Sequence, residues 1–182
     1  MVILEEKIIQ LLSGQEDIVI IGIDGGAGSG KSTLGEYLAE KFDANLFHSD
    51  DFFLRPEQRT PERFDEPGGN MDRERFEAEI LSPLRKDGRA EYRPFSCSEM
   101  KLRPAVTVPP RRLNIAEGSY CLHPALSGYY DLKVFLDVPL EVRLERLKRR
   151  EEDIAAFLRR WIPLEERYFE EFGIKNTADI VI

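Results

Sequence analysis

Residues 18–33 read "IVIIGIDGGAGSGKST", and they decide the fold of this 182-residue chain. The opening seven residues are almost all apolar and mostly β-branched, the signature of a short strand buried on both faces. Residues 25–32, "GGAGSGKS", then match the pattern G-x-x-x-x-G-K-[ST], and "KSTLGEYLAEKF" brings Leu34, Leu38 and Phe42 onto one helical face. Strand, glycine loop and helix in that order are the setting a phosphate-binding loop needs. Glycines let successive N–H groups turn inward around an oxyanion, and the helix N-terminus adds partial positive charge. Lys31 supplies a mobile ammonium, and Ser32 a hydroxyl suited to a magnesium ion. The expected seat of ATP is therefore Gly25, Gly26, Ala27, Gly28, Ser29, Gly30, Lys31, Ser32 and Thr33, with Mg2+ as its companion. The plain alternative is an ordinary glycine-rich turn between strand and helix.

Working outward, residues 3–12 place Ile8, Leu11 and Leu12 at helical spacing. Downstream, "ANLFHS" (44–49), "RLNIAEG" (112–118), "LKVFLDV" (132–138) and "ADIVI" (178–182) are strand-length, while "DRERFEAEILSPL" (72–84) and "LEVRLERLKRR" (140–150) are helical in pattern. Such alternation predicts a three-layer α/β/α fold around a parallel sheet. Residues 90–110 depart from it and suggest a hairpin walling a cleft. In 140–150, Leu140, Leu144 and Leu147 form the expected buried face, leaving Arg143, Arg146, Arg149 and Arg150 elsewhere. Phe157, Trp161, Leu164 and Tyr168 form a helical stripe expected to face the core, with a kink at Pro163.

The length and the 42% hydrophobic, 33% charged composition fit one domain, residues 1–182. A net charge of -8 argues against wrapping nucleic acid on a broad basic face, but not against a small anionic ligand. Two cysteines, Cys97 and Cys121, are too few for a disulfide framework, which suits a reducing cytoplasmic setting. No run approaches the ~20 apolar residues of a membrane span, so the expected partners are small molecules, with no nucleic acid and no membrane; a homo-oligomer stays open. His48 and His123 have no metal-ligand partners at useful spacing and are expected to be structural.

Residues 48–56, "HSDDFFLRP", set two carboxylates against two aromatic rings. Asp50 falls at the C-terminal end of a predicted strand, the sheet edge where ligands bind in open α/β folds, so it can face a γ-phosphate or simply cap a turn. Phe52 and Phe53 are expected to fix the turn and wall the acceptor pocket. Taken in order, "GGAGSGKS", "DDFF", "RFDEPGGNMD", "EYRPFSCS" and "AEGSY" resemble the uridine kinase-like group of nucleoside kinases, which includes nicotinamide riboside kinases and is related to pantothenate kinases and phosphoribulokinases.

That resemblance implies a five-stranded parallel sheet of order 2-3-1-4-5, an acceptor-side insertion over about residues 51–110 and a short lid over about 148–156. It implies that Asp50 is the general base, with Asp51 accessory and turned to solvent or a neighbouring loop. Asp65 would hold a ribose diol with Phe64 beside the base. Glu117 would act on Mg2+ with Ser32 and Asp50, and Tyr92 would pack near the nucleobase. Arg93 is a further acceptor-side candidate, with a solvated surface arginine as its equal. Lys31 and Arg150, supported by Arg146, would neutralise the transferred charge. Cys97 stands where pyrimidine nucleoside kinases carry a base-reading histidine, and Leu147 where an acceptor-contacting arginine is expected. Either Arg159 or Arg160 takes over that contact, or the acceptor differs. Uridine or a related nucleoside is the implied acceptor. A non-nucleoside alcohol such as pantothenate, and an ATP-binding regulatory protein without transfer, are the rivals.

Overall fold

The computed structural model describes residues 1–151 and 153–182. Five parallel strands form the central sheet: β1 (Val19–Gly25), β2 (Asn45–His48), β3 (Leu113–Glu117), β4 (Leu132–Leu136) and β5 (Ile180–Val181). Their spatial order is β2-β3-β1-β4-β5. Four short strands intervene in the chain outside this sheet, so a count that includes them runs 2-7-1-8-9. Helices α1 (Val2–Leu12), α2 (Lys31–Phe42), α3 (Leu140–Arg150) and α4 (Ile162–Glu171) complete the framework.

β1 is buried at every position because apolar layers cover both faces. Ile21 and Ile23 pack with Leu4, Ile8, Leu34 and Leu38 from α1 and α2. Ile20 belongs to the opposite layer with Phe47, Phe52, Phe76 and Tyr168. The register levels the strand ends: Glu117 pairs with both Ile23 and His48. The glycine loop, the 49–52 turn and Glu117 therefore emerge at one sheet edge.

The accessory excursion is a nested antiparallel hairpin, with 90–92 paired to 106–108 and 95–96 to 101–102. It is anchored by Tyr92, stacked 5.6 Å from the Phe52 ring, while Phe52 meets Phe76 edge-on at 4.9 Å. Such aromatic pairs add about 0.5–1.5 kcal/mol each beyond area burial.

Two helical expectations need correction. In α3 the buried residues are Arg143 and Leu147; Leu140 is exposed. In the stripe that runs into α4 only Tyr168 is fully buried, and Trp161 is half-buried. The backbone over Phe157–Trp161 is a π-turn, and Pro163 follows within the first turn of α4. Proline lacks an N–H and its ring crowds the carbonyl four residues back, which a wider turn relieves. Pro83 follows the π-turn Glu77–Leu81 in the same way. The extra residue per turn rotates Phe157 and Trp161 off the core-facing line.

Candidate active site

The sheet edge opens into a cleft of about 750 Å³. One side is the glycine loop. Gly28 adopts φ +78°, a left-handed conformation, and a β-carbon there would lie 2.7 Å from the Arg143 carbonyl oxygen, so glycine is required twice over. Lys31 Nζ curls back to donate to the Gly25 and Gly26 carbonyl oxygens at 2.8 and 3.1 Å. Arg146 Nη1 donates to the Ser29 carbonyl oxygen at 2.8 Å, and Arg150 lines the same side with its Nε on Glu151 at 2.9 Å. Leu147, where an arginine was expected, is buried against the loop, 3.1 Å from where a Gly28 β-carbon would be.

Beneath the loop lies a charged layer that sequence patterning did not single out. The buried Glu165 carboxylate accepts from the Ala27 N–H at 2.8 Å and the Ser119 hydroxyl at 2.6 Å. Arg143 Nη1 is 3.8 Å from Glu165, and Arg143 also pairs with Glu166. Asp24, fully buried, accepts from the N–H groups of Gly25 and Leu122 and from the Tyr168 hydroxyl, at 2.7, 2.9 and 2.9 Å. Desolvation raises its pKa to about 6 despite those bonds and the nearby Lys31. Burial likewise raises the Glu165 pKa, against Lys31 and the Ala27 N–H.

At the strand ends, the Ser32 hydroxyl donates to Glu117 at 3.2 Å from either carboxylate oxygen. His48 Nδ1 sits 2.5 Å from Glu117 Oε1, and this bond raises the His48 pKa against the effect of burial. His48 is thus not isolated, as spacing had suggested; strand register makes it the neighbour of Glu117. Asp50 faces the cleft, its pKa raised first by desolvation and further by Glu117, with Lys31 opposing. Asp50 and Asp51 are successive residues of one 3₁₀ turn, Ser49–Phe52, so their side chains diverge by about 120°. Asp51 turns to the hairpin, where the Tyr92 hydroxyl approaches at 3.5 Å. A smaller side pocket there, about 350 Å³, contains both aspartates and Arg103.

Ser32 and Glu117 form a hard-oxygen pair of the kind Mg2+ takes, since this ion keeps several waters and uses only one or two carboxylates plus phosphate oxygens. Among the described residues no group of three or more His, Cys, Asp or Glu side chains could hold a metal ion.

The far side of the cleft is aromatic: Phe53, Phe64, Phe157 and Trp161, with Trp161 tilted 6.2 Å from Phe53. Three expected acceptor contacts do not reach it. Asp65 is exposed and held outside by Arg167, which donates to its carboxylate at 3.1 Å and its carbonyl at 2.7 Å. Tyr92 is a core ring, and the Arg93 Nε is turned to the Arg103 carbonyl oxygen at 2.9 Å. The lid expected over 148–156 includes Glu152, which lies outside the described residues.

The loop, its lysine, and acidic groups level with it at the sheet edge are the arrangement of a P-loop nucleotide-binding site. No protein-family profile matches the chain. It is 29% identical to the uridine kinase of Shewanella amazonensis, with 92% of this chain and 88% of that one covered. With the uridine kinase of Clostridium tetani it shares 27% identity, over 90% and 86% of the two chains. Its fold matches a possible uridine kinase from Bacillus stearothermophilus with a TM-score of 0.72 and 20% identity, over 98% of both chains. The chain is a kinase, a phosphotransferase with an alcohol group as acceptor, and it is uridine kinase-like along nine-tenths of its length. No helix among the described residues is long and apolar enough to cross a membrane.

Proposed function

We propose that this chain transfers the γ-phosphate of ATP to a hydroxyl of a small acceptor, with uridine or a related nucleoside as the first reading. The observation that carries it is Asp50 in one cleft with Lys31 and the loop. The loop N–H groups and the α2 N-terminus bind the phosphates. Lys31 leaves the Gly25 and Gly26 carbonyl oxygens to follow the transferred group, while Arg146 and Arg150 flank it. Mg2+ supplies charge neutralisation on the phosphates, and Ser32 with Glu117 would hold it, Asp50 acting through water. Asp50 accepts the acceptor proton as the hydroxyl oxygen attacks the terminal phosphorus and the bond to the departing ADP breaks. Its raised pKa suits a base whose chief requirement is position. Phe53, Phe64 and Trp161 present flat apolar faces on which a nucleobase can stack and which keep water from competing.

One observation favours a second reading, a non-nucleoside alcohol: the carboxylate meant for the ribose diol, Asp65, is tied to Arg167 outside the cleft. The deciding experiment supplies purified protein and Mg-ATP with uridine, other ribonucleosides, nicotinamide riboside and pantothenate. Product formation above the ATP hydrolysis background with a nucleoside supports the first reading. Turnover with pantothenate alone supports the second, and hydrolysis alone overturns both.

A further inference from the structure

We infer that the acceptor carries its own negative charge, a carboxylate or phosphate group gripped by Arg59 and Arg160. The inference rests on the kinase reading above, and within it favours an anionic acceptor over neutral uridine.

Three of the cleft's cations already have work on the donor side: Lys31, Arg146 and Arg150 surround the loop. Two further arginines, Arg59 and Arg160, also line the cleft. The Arg160 guanidinium lies 5.1 Å from the Phe64 ring and 4.8 Å from the Trp161 ring, within cation–π reach of the aromatic wall. A guanidinium held over aromatic faces keeps its N–H donors available to an anion. Arg160 makes no hydrogen bond or ion pair with any described residue, and its position on Phe64 and Trp161 belongs to the acceptor wall rather than the loop. Arg59 is held from behind: Nε donates to the Leu54 carbonyl oxygen at 2.9 Å and the guanidinium lies 5.7 Å from the Phe95 ring. Its two terminal nitrogens have no carboxylate partner among the described residues.

This is not for want of carboxylates. The chain has 34 acidic residues against 26 basic ones, and neighbours such as Arg55, Arg63, Arg73 and Arg75 are all ion-paired. Two oriented but unpaired guanidinium groups in a cleft are arranged for an anion, because their forked donors match carboxylate and phosphate oxygens. The carboxylates present fit the same account. Asp50 is committed to the reacting hydroxyl, Asp51 faces the hairpin, and Asp65 is outside. A neutral acceptor would leave both arginines without a counter-charge.

The test uses matched acceptors that differ in the anionic group: glycerate against glycerol, pantothenate against panthenol, orotidine against uridine for the carboxylate, and ribulose 5-phosphate against ribulose for the phosphate. The anionic member of at least one pair is expected to show the higher kcat/KM, and the pair that does so identifies the anion. Arg160→Gln and Arg59→Gln are each expected to raise the KM for that acceptor by about 10- to 100-fold, leaving the KM for ATP within about twofold. Arg160→Lys, which keeps the charge but not the fork, is expected to fall between. Arg160 is exposed and Arg59 half-buried, and equal melting temperatures would show that the variants fold. If the neutral members are phosphorylated as well or better, or if both substitutions raise the KM for ATP instead, the inference is overturned while the kinase reading stands. If ATP binds but no acceptor in any pair is phosphorylated, both fall.

Discussion

Arg143 is packed so closely onto Gly26 that a β-carbon on that glycine would lie 1.7 Å from Nη1 and 2.5 Å from Cζ of the guanidinium. Arg143 is buried, its Nε and Nη1 have no hydrogen-bond partner, and its only described carboxylate neighbours are Glu165 and Glu166. The loop thus rests on a buried guanidinium that a Gly26 side chain would have to displace. Gly26→Ala is expected to destabilise the fold by about 1–3 kcal/mol through overpacking. It is also expected to weaken ATP binding, because the loop must move off its support. Denaturant unfolding and an ATP titration on the same preparation check both halves; an alanine variant with unchanged stability and affinity would show that the loop does not need this contact.

Asp50→Asn keeps the size of the side chain and removes its capacity to take a proton. Turnover is expected to drop by about 10²- to 10⁴-fold. ATP affinity should stay nearly intact, because Asp50 makes no hydrogen bond to the loop among the described residues. Steady-state rates beside equilibrium ATP binding separate the two effects, and parallel loss of both would move Asp50 from base to a phosphate-site residue.

Glu117 is the carboxylate that joins the Ser32 hydroxyl to His48. Glu117→Gln halves the hard-anion character of that pair, and the Mg2+ concentration for half-maximal rate is expected to rise by about 10- to 100-fold. Chelation should abolish turnover in the unaltered protein. An unchanged Mg2+ requirement in the variant would remove Glu117 from the metal site.

Asp24 gives a pH signature of unusual sign for a carboxylate. Burial raises its folded pKa from 3.8 to about 6, so the folded chain binds this proton more tightly than the unfolded chain does. Its contribution therefore favours the folded state at low pH and is lost as pH rises from about 4 through about 6; above that it is flat. The shift corresponds to something on the order of 3 kcal/mol. Asp24→Asn should remove this falling component when unfolding free energy is followed from pH 4.5 to 7.5, even though it costs stability at every pH by spoiling three accepted bonds. A variant curve parallel to that of the unaltered protein would show that Asp24 does not titrate in this window.

Much of this architecture is legible in the sequence, for local reasons. The β1 run, the glycine loop and the Leu34/Leu38 face of α2 are each specified by residues within one element, and tertiary structure leaves them in place. The level ends of β2 and β3 follow from parallel pairing, which carries Asp50 and Glu117 to the loop. Long-range pairing is what cannot be read from spacing. Asp65 leaves the cleft because of Arg167, 102 positions away, and Glu165 enters it through the Ala27 N–H, 138 positions away. Arg143 had a trace in the sequence, since a second consecutive glycine at position 26 leaves room for something large. Trp161 was assigned to the core because helical periodicity assumes 3.6 residues per turn, and the π-turn Phe157–Trp161 breaks that assumption where Pro163 follows.

That displaced ring supplies the last prediction. Trp161 is the chain's sole tryptophan, half-buried, tilted against Phe53 and 4.8 Å from the Arg160 guanidinium. Its emission therefore reports on the acceptor wall alone. Saturating acceptor is expected to shift or quench that emission even without nucleotide, whereas ATP by itself, seated at the loop, should change it much less. Trp161→Ala should raise the acceptor KM by about 3- to 10-fold, the worth of one aromatic contact, with little effect on kcat. A ring that belonged to the core would behave otherwise: its removal would lower the melting temperature sharply, and acceptor would leave its fluorescence untouched. The combination of a stable Ala variant and an acceptor-sensitive emission separates a cleft wall from a buried stripe.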